Sequence, residues 1–160
     1  MKMPKVTFNR LLKLGTYRME EVVSGFEKFG ALKKIFNEEP KKTIKGIRIR
    51  ISKKQFYAYI DVKKEAIVIG QKYFRSASDL YLCLDLLHEL VHIRQLREGQ
   101  DLFDKKFSYV DRPTEMEAYR LAAGQARKFG LRGKKLLEYL EADWVPKEDS
   151  DRLMKKLGAK

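Results

Sequence analysis

One cysteine in 160 residues, Cys83, excludes an internal disulfide and a thiolate metal cluster. Set among leucines, it reads as inert core. No run of about 18 apolar residues occurs, so nothing reads as a membrane span. The opening MKMPKVTFNR lacks the apolar stretch of a secretory signal, which makes the cytoplasm the expected location. No internal repeat or low-complexity segment is present. Histidine is scarce too, and its two copies, His88 and His92, sit in one five-residue window.

Apolar residues make up 44% of the chain and aromatics number 9 Phe, 8 Tyr and 1 Trp, which excludes a disordered chain despite the high charge content. The length fits one domain with a sizeable core. The net charge of +13 is uneven. Residues 1–75 carry 19 Lys and Arg against 7 Asp and Glu, while residues 76–160 carry 16 against 15. Such a basic half can steer a protein toward nucleic acid, an acidic membrane surface or an acidic partner. A lysine-rich solvated surface is the plainer reading.

Apolar residues at Phe8, Leu11, Leu12 and from Val22 to Phe36 recur at three-and-four spacing, which predicts two or three short helices over 5–38. From Ile44 the period changes to two. Ile47, Ile49 and Ile51 alternate with Arg48 and Arg50; Phe56, Ala58, Ile60 and Val62 alternate with Tyr57, Tyr59 and Asp61. AIVIG at 66–70 reads as a third strand after a turn at 63–65, so a three-stranded antiparallel meander is expected. Ser76 or Ser78 can cap the helix that follows, which Gly99 would end. Leucines surround that helix on nearly every side, predicting a central buried helix. A further helix is expected from Thr114 to Gly130, and shorter ones near 134–142 and 150–157.

The buried helix carries His88-Glu89-Leu90-Val91-His92. Residues four apart share a helix face, so two imidazoles reach one metal ion with Glu89 beside them to take a proton from metal-bound water. Zinc suits nitrogen and oxygen ligands and lowers the pKa of bound water toward about 7, which points to hydrolysis of a polarised carbonyl. A catalytic zinc needs a third protein ligand, and with no third histidine it must be a carboxylate. Glu115 and Glu117 are available. Thr114 and Glu117 have capping-box spacing, which gives Glu117 a structural role. Glu115 leads by helical steps to Ala118, Ala122 and Ala126, a small-residue strip suited to close packing on the histidine helix, and is favoured as the ligand. Asp85, one turn before His88, reads as a solvated acid or a support for the site.

HELVH followed by EMEAYRLA resembles the gluzincin metallopeptidases, more narrowly the soluble core of the HtpX and CAAX-prenyl endopeptidases and the ImmA/IrrE-type peptidases. The resemblance spans about residues 66–126. It places Glu115 at the ligand position and Ala118 and Ala122 at the motif's alanines, and it departs at Tyr119, where those families have Asp or Asn. It implies an α+β, zincin-like fold in which a small three-stranded antiparallel sheet packs on the HExxH helix and a second, ligand-bearing helix. The chain would then divide into a helical arm (1–40), a catalytic core (43–130) and a helical tail (131–160). The implied activity is that of a zinc endopeptidase with Zn2+ on His88, His92 and Glu115 and Glu89 as general base. AIVIG would lie nearest the cleft, and Tyr109, Arg112, Tyr119 or Arg120 would supply a transition-state donor. The partner expected is a peptide or protein substrate.

The alternative is a basic, nucleic-acid-associated binding or regulatory protein with a structural, latent or inactive zinc site. Arg48, Arg50, Tyr57 and Tyr59 share one strand register and could grip phosphates and stack bases, while the tail around Trp144 could cover a cleft.

Overall fold

The computed structural model describes residues 1–54 and 56–159. Its N-terminal part is where the helical expectation fails. Three strands, β1 (Thr7–Phe8), β2 (Gly15–Arg18) and β3 (Val23–Ser24), lie within the stretch expected to be helical. Between them is only the single turn α1 (Met19–Val22), followed by a 3-10 turn at Phe26–Lys28, α2 (Ala31–Phe36) and α3 (Pro40–Ile44). The three-and-four spacing reports burial from Val22 onward, since Val22, Phe26, Phe29 and Leu32 all reach the core, but not at Leu11, which is 86% exposed. What breaks the helix is pairing at a distance. Phe8 pairs with Val23 and Thr7 with Ser24 in a small antiparallel ladder. Next to it Gly25 takes φ 82°, and a Cβ there would stand 2.5 Å from the Lys5 carbonyl oxygen. Only glycine permits that close, left-handed turn.

The three strands expected after Ile44 all form: β4 (Arg48–Ser52), β5 (Ala58–Asp61) and β6 (Ala66–Gly70). Their order is not a meander. The sheet runs β2-β4-β6-β5, four strands rather than three, with β4 and β6 parallel and the other two pairings antiparallel. The reason lies in AIVIG, apolar on both faces and buried at all five positions. Such a strand gains most in the sheet interior, whereas β5 alternates and accepts the edge. Gly70 at the end of β6 lets the Phe56 carbonyl approach to where a Cβ would meet it at 2.2 Å.

One sheet face carries Ile49, Ile51, Ile60, Ile67 and Ile69 into a shared core with the leucines of α5 (Asp79–Arg97), reached through the short α4 (Gln71–Ser76). The Ser78 hydroxyl accepts from the Tyr81 amide to cap α5, and Gly99 ends it at φ 77°. α6 (Pro113–Lys128) starts on Pro113, whose fixed φ suits a first helical turn. Its Ala118, Ala122, Ala123 and Ala126 are fully buried and let it run close along α5. A second apolar cluster joins α6 to α7 (Gly133–Leu140) and α8 (Lys147–Lys156) through Met116, Leu136, Leu140 and Leu153. Asp111, before α6, pairs with Arg152 at 2.7 Å and with Lys156, tying α8 down. Among the described residues no helix is long and apolar enough to cross a membrane.

Candidate metal centre

One turn of α5 separates His88 from His92, and the start of α6 brings Glu115 across to them. The His88 and His92 Nε2 atoms lie 3.1 Å apart; Glu115 Oε2 is 3.2 Å from the first and 3.3 Å from the second. All three side chains are almost wholly buried. Glu115 Oε2 has no hydrogen bond of acceptable geometry although two ring nitrogens face it. Three electron-pair donors converging on one small gap, one of them a buried carboxylate oxygen left unsatisfied, form a group able to hold a metal ion.

Burial by itself would raise the Glu115 pKa, but the two imidazoles outweigh it and hold the carboxyl well below the usual range. For His92 burial acts to lower the pKa, yet Glu115 and Glu89 raise it to about 9 without metal. Glu89 lies beside the histidines, and desolvation pushes its carboxyl up against the pull of both rings.

Gln95, not singled out from the sequence, sets the orientation of His92. Its side chain is fully buried. Its amide nitrogen donates to the Thr114 carbonyl at 3.0 Å and to Glu117 Oε2 at 2.7 Å, both pure acceptors. The amide oxygen therefore faces His92 Nδ1, 2.8 Å away, and must accept its proton. That tautomer leaves the lone pair on Nε2, pointing at the ligand gap. The signal was present in the sequence as a polar residue one turn after the second histidine, on the same helix face.

This network corrects the capping-box expectation. The N-cap of α6 is Arg112, Thr114 Oγ1 is buried without a partner, and Glu117 reaches Gln95 and Arg94 instead. Pro113 opens the helix, which moves the N-cap two positions back from Thr114 to Arg112 and puts Thr114 inside the helix. Glu117 is thus a buttress for the site, and Glu115 alone of the two joins the histidines.

Two adjoining clefts open on the centre, of about 1020 Å3 and 280 Å3. Tyr119 sets its ring edge-on to His88 with centroids 4.6 Å apart, and its hydroxyl lies 3.0 Å from that of Tyr109. Arg112 lines the smaller cleft. Arg120 is exposed and lines neither. The strand bordering both clefts is β5, through Ala58 and Tyr59, because β6 has a neighbour on each side. Asp85 is no solvated acid: it faces the larger cleft and accepts from the Tyr73 and Tyr139 hydroxyls. Burial pushes its carboxyl up to about 6 despite those bonds and the nearby His88. Cys83 is buried, which lifts its thiol to about 12, in keeping with inert core.

Of the four residues read as a nucleic-acid grip, Arg50 and Tyr59 both stand opposite Val68 and keep the expected shared register, but the arginines are engaged within the chain. Arg50 pairs with Asp61 at 3.3 Å, and Arg48 donates to the Lys64 carbonyl. Tyr57 and Tyr59 line the larger cleft, where the Tyr57 hydroxyl donates to Asp143 at 3.2 Å. Trp144 lines both clefts and packs against Tyr109 at 4.6 Å. Compared with protein-family models, curated proteins and solved structures, the chain matches none.

Proposed function

We propose that this chain is a zinc-dependent peptidase that hydrolyses peptide bonds, with His88, His92 and Glu115 as zinc ligands. The observation that carries this reading is the size of the ligand gap. A tetrahedral zinc with nitrogen and oxygen ligands at about 2.0–2.1 Å has edges of about 3.3–3.4 Å. The three separations here are 3.1, 3.2 and 3.3 Å. Zinc, when bound, supplies Lewis acidity that polarises a carbonyl and makes water a nucleophile near neutral pH.

The protein's own residues supply the rest. Glu89, desolvated and, among the described residues, not in an ion pair with an arginine or lysine, takes a proton from the attacking water and carries it to the leaving amine nitrogen. Gln95 holds His92 in the ligating tautomer. The free edge of β5 offers an extended peptide a strand to pair with, beside His88 and Glu89. Tyr109, Tyr119 and Arg112 stand on the cleft side as donors to a developing oxyanion, while Arg120 lines neither cleft. The nucleic-acid reading draws less support, since Arg50 is already paired and the tyrosines turn to the cleft.

Elemental analysis of zinc-supplied protein should find about one zinc per chain. Glu89→Gln should keep that zinc while losing hydrolysis of a mixed peptide substrate. Protein that takes up no transition metal, or a Glu89→Gln variant as active as wild type, would overturn the proposal.

A further inference from the structure

Seven of the chain's eight tyrosines, all but Tyr17, line the larger cleft. So do Asp85, Glu138, Glu141 and Asp143, which outnumber Lys54 and Lys72. On a chain of net charge +13, this is an inverted local charge. We infer that the cleft is a recognition pocket for the positively charged side chain of a peptide substrate, arginine or lysine, with Asp85 as its anionic floor. The inference rests on the peptidase reading for its peptide, and on the cleft alone for its charge preference.

The chemistry of the walls favours a cation on an apolar stem. Tyrosine rings present negative faces to an ammonium or guanidinium and apolar area to methylenes. Tyr57 packs edge-on against Tyr73 at 5.0 Å and Tyr81 lies tilted against Tyr139 at 5.2 Å, so the rings are held by one another rather than free to collapse inward. Asp85 accepts one hydroxyl on each oxygen, from Tyr73 and Tyr139. A carboxylate has about four acceptor positions, so two remain for an incoming donor. A low-dielectric cavity lined by one sign of charge concentrates the opposite charge. An acidic side chain would meet Asp85, and an apolar one would strip it of water without replacing the lost bonds.

The position links this pocket to the reacting bond. Asp85 precedes His88 by three residues, about 4.5 Å along the helix axis. His88 and Glu89 themselves line the same cleft. A residue flanking the scissile bond therefore reaches Asp85 from a peptide lying along β5.

The test has a binding arm and a cleavage arm. For binding, zinc-loaded Glu89→Gln protein is titrated with blocked pentapeptides that differ only at the central residue: arginine, lysine, norleucine or glutamate. Arginine and lysine peptides should bind about tenfold tighter than norleucine and glutamate weakest, and Asp85→Asn should remove most of that preference. The ranking on the Asp85-containing protein stands as a test even if Asp85→Asn does not fold. Equal binding of the four peptides, or a preference for norleucine, overturns the inference. For cleavage, a random peptide mixture is digested with the wild-type protein and the products are sequenced by mass spectrometry. Enrichment of arginine or lysine next to the cut supports the pocket; cleavage without it overturns the pocket and leaves the peptidase reading standing. Charge-selective binding without any cleavage would sink the peptidase reading and leave the pocket.

Discussion

The α5–α6 pair and the N-terminal segment from Phe8 to Phe36 contain much the same kind of apolar spacing, and they fold by different rules. In α5 and α6 the contacts that form the site lie one helical turn apart or on the helix next in sequence, so local spacing dictates which site residues meet. In the first 52 residues the deciding contacts are Phe8 with Val23, Tyr17 with Ile49 and Ile49 with Ile67. Those are long-range pairings, and they override a helical period that is real but describes only burial. A functional site written on local spacing survives sequence-level reading; a sheet assembled from distant strands does not.

Glu115→Ala is the sharpest way to break the comparison. It removes the one ligand supplied from outside α5, and zinc affinity should fall by well over 100-fold, beyond the range of supporting residues. A zinc titration that finds the variant within tenfold of wild type would mean that α5 alone makes the site. Gln95→Leu keeps all three ligands but frees the His92 tautomer, and should cost about 10- to 100-fold in zinc affinity. Glu117→Ala, one bond further out, should cost less than Gln95→Leu; the opposite order in the same titration would remove the buttress role.

Proton competition gives the next effect. His92 titrates at about 9 without metal, and a protonated imidazole cannot ligate. Below that value zinc must displace the proton, so apparent affinity should fall about tenfold for each pH unit lowered from 9 toward neutrality. Competition with a chelator of known affinity across pH 6 to 10 reads this directly, and a flat profile would contradict it.

The smallest effect belongs to the other region. Gly25→Ala forces a side chain into a left-handed turn and against the Lys5 carbonyl, and should cost about 1 to 3 kcal/mol of stability. Zinc affinity of the folded variant should be unchanged. Thermal melts beside the same titration separate the two; loss of zinc binding in folded protein would show the regions coupled.

Much of the site was legible because its chemistry is concentrated. Two histidines at helical spacing, a carboxylate between them and Glu115 on a strip of alanines need only two helices to meet. Gln95 escaped notice because it acts through atoms of α6 that sequence spacing does not reveal, and Asp85, open between a solvated acid and a support for the site, was decided only by the hydroxyls of Tyr73 and Tyr139. Glu117 was misassigned because the capping box is a local pattern that holds only if the helix begins at Thr114, and Pro113 began it earlier.

The sequence by itself determined the long buried helix with a serine cap and its Gly99 stop, the three strands after Ile44, and the residues able to hold a metal ion. All of these follow from periods of two or 3.6 and from side-chain chemistry within a few residues. Tertiary structure decided the order of those strands, the parallel pairing of β4 with β6, the edge position of β5, and the gathering of seven tyrosines and Asp85 along one cleft. These depend on which distant segments bury one another's apolar faces, and the free energy of that choice is shared across the whole core rather than written in any one segment.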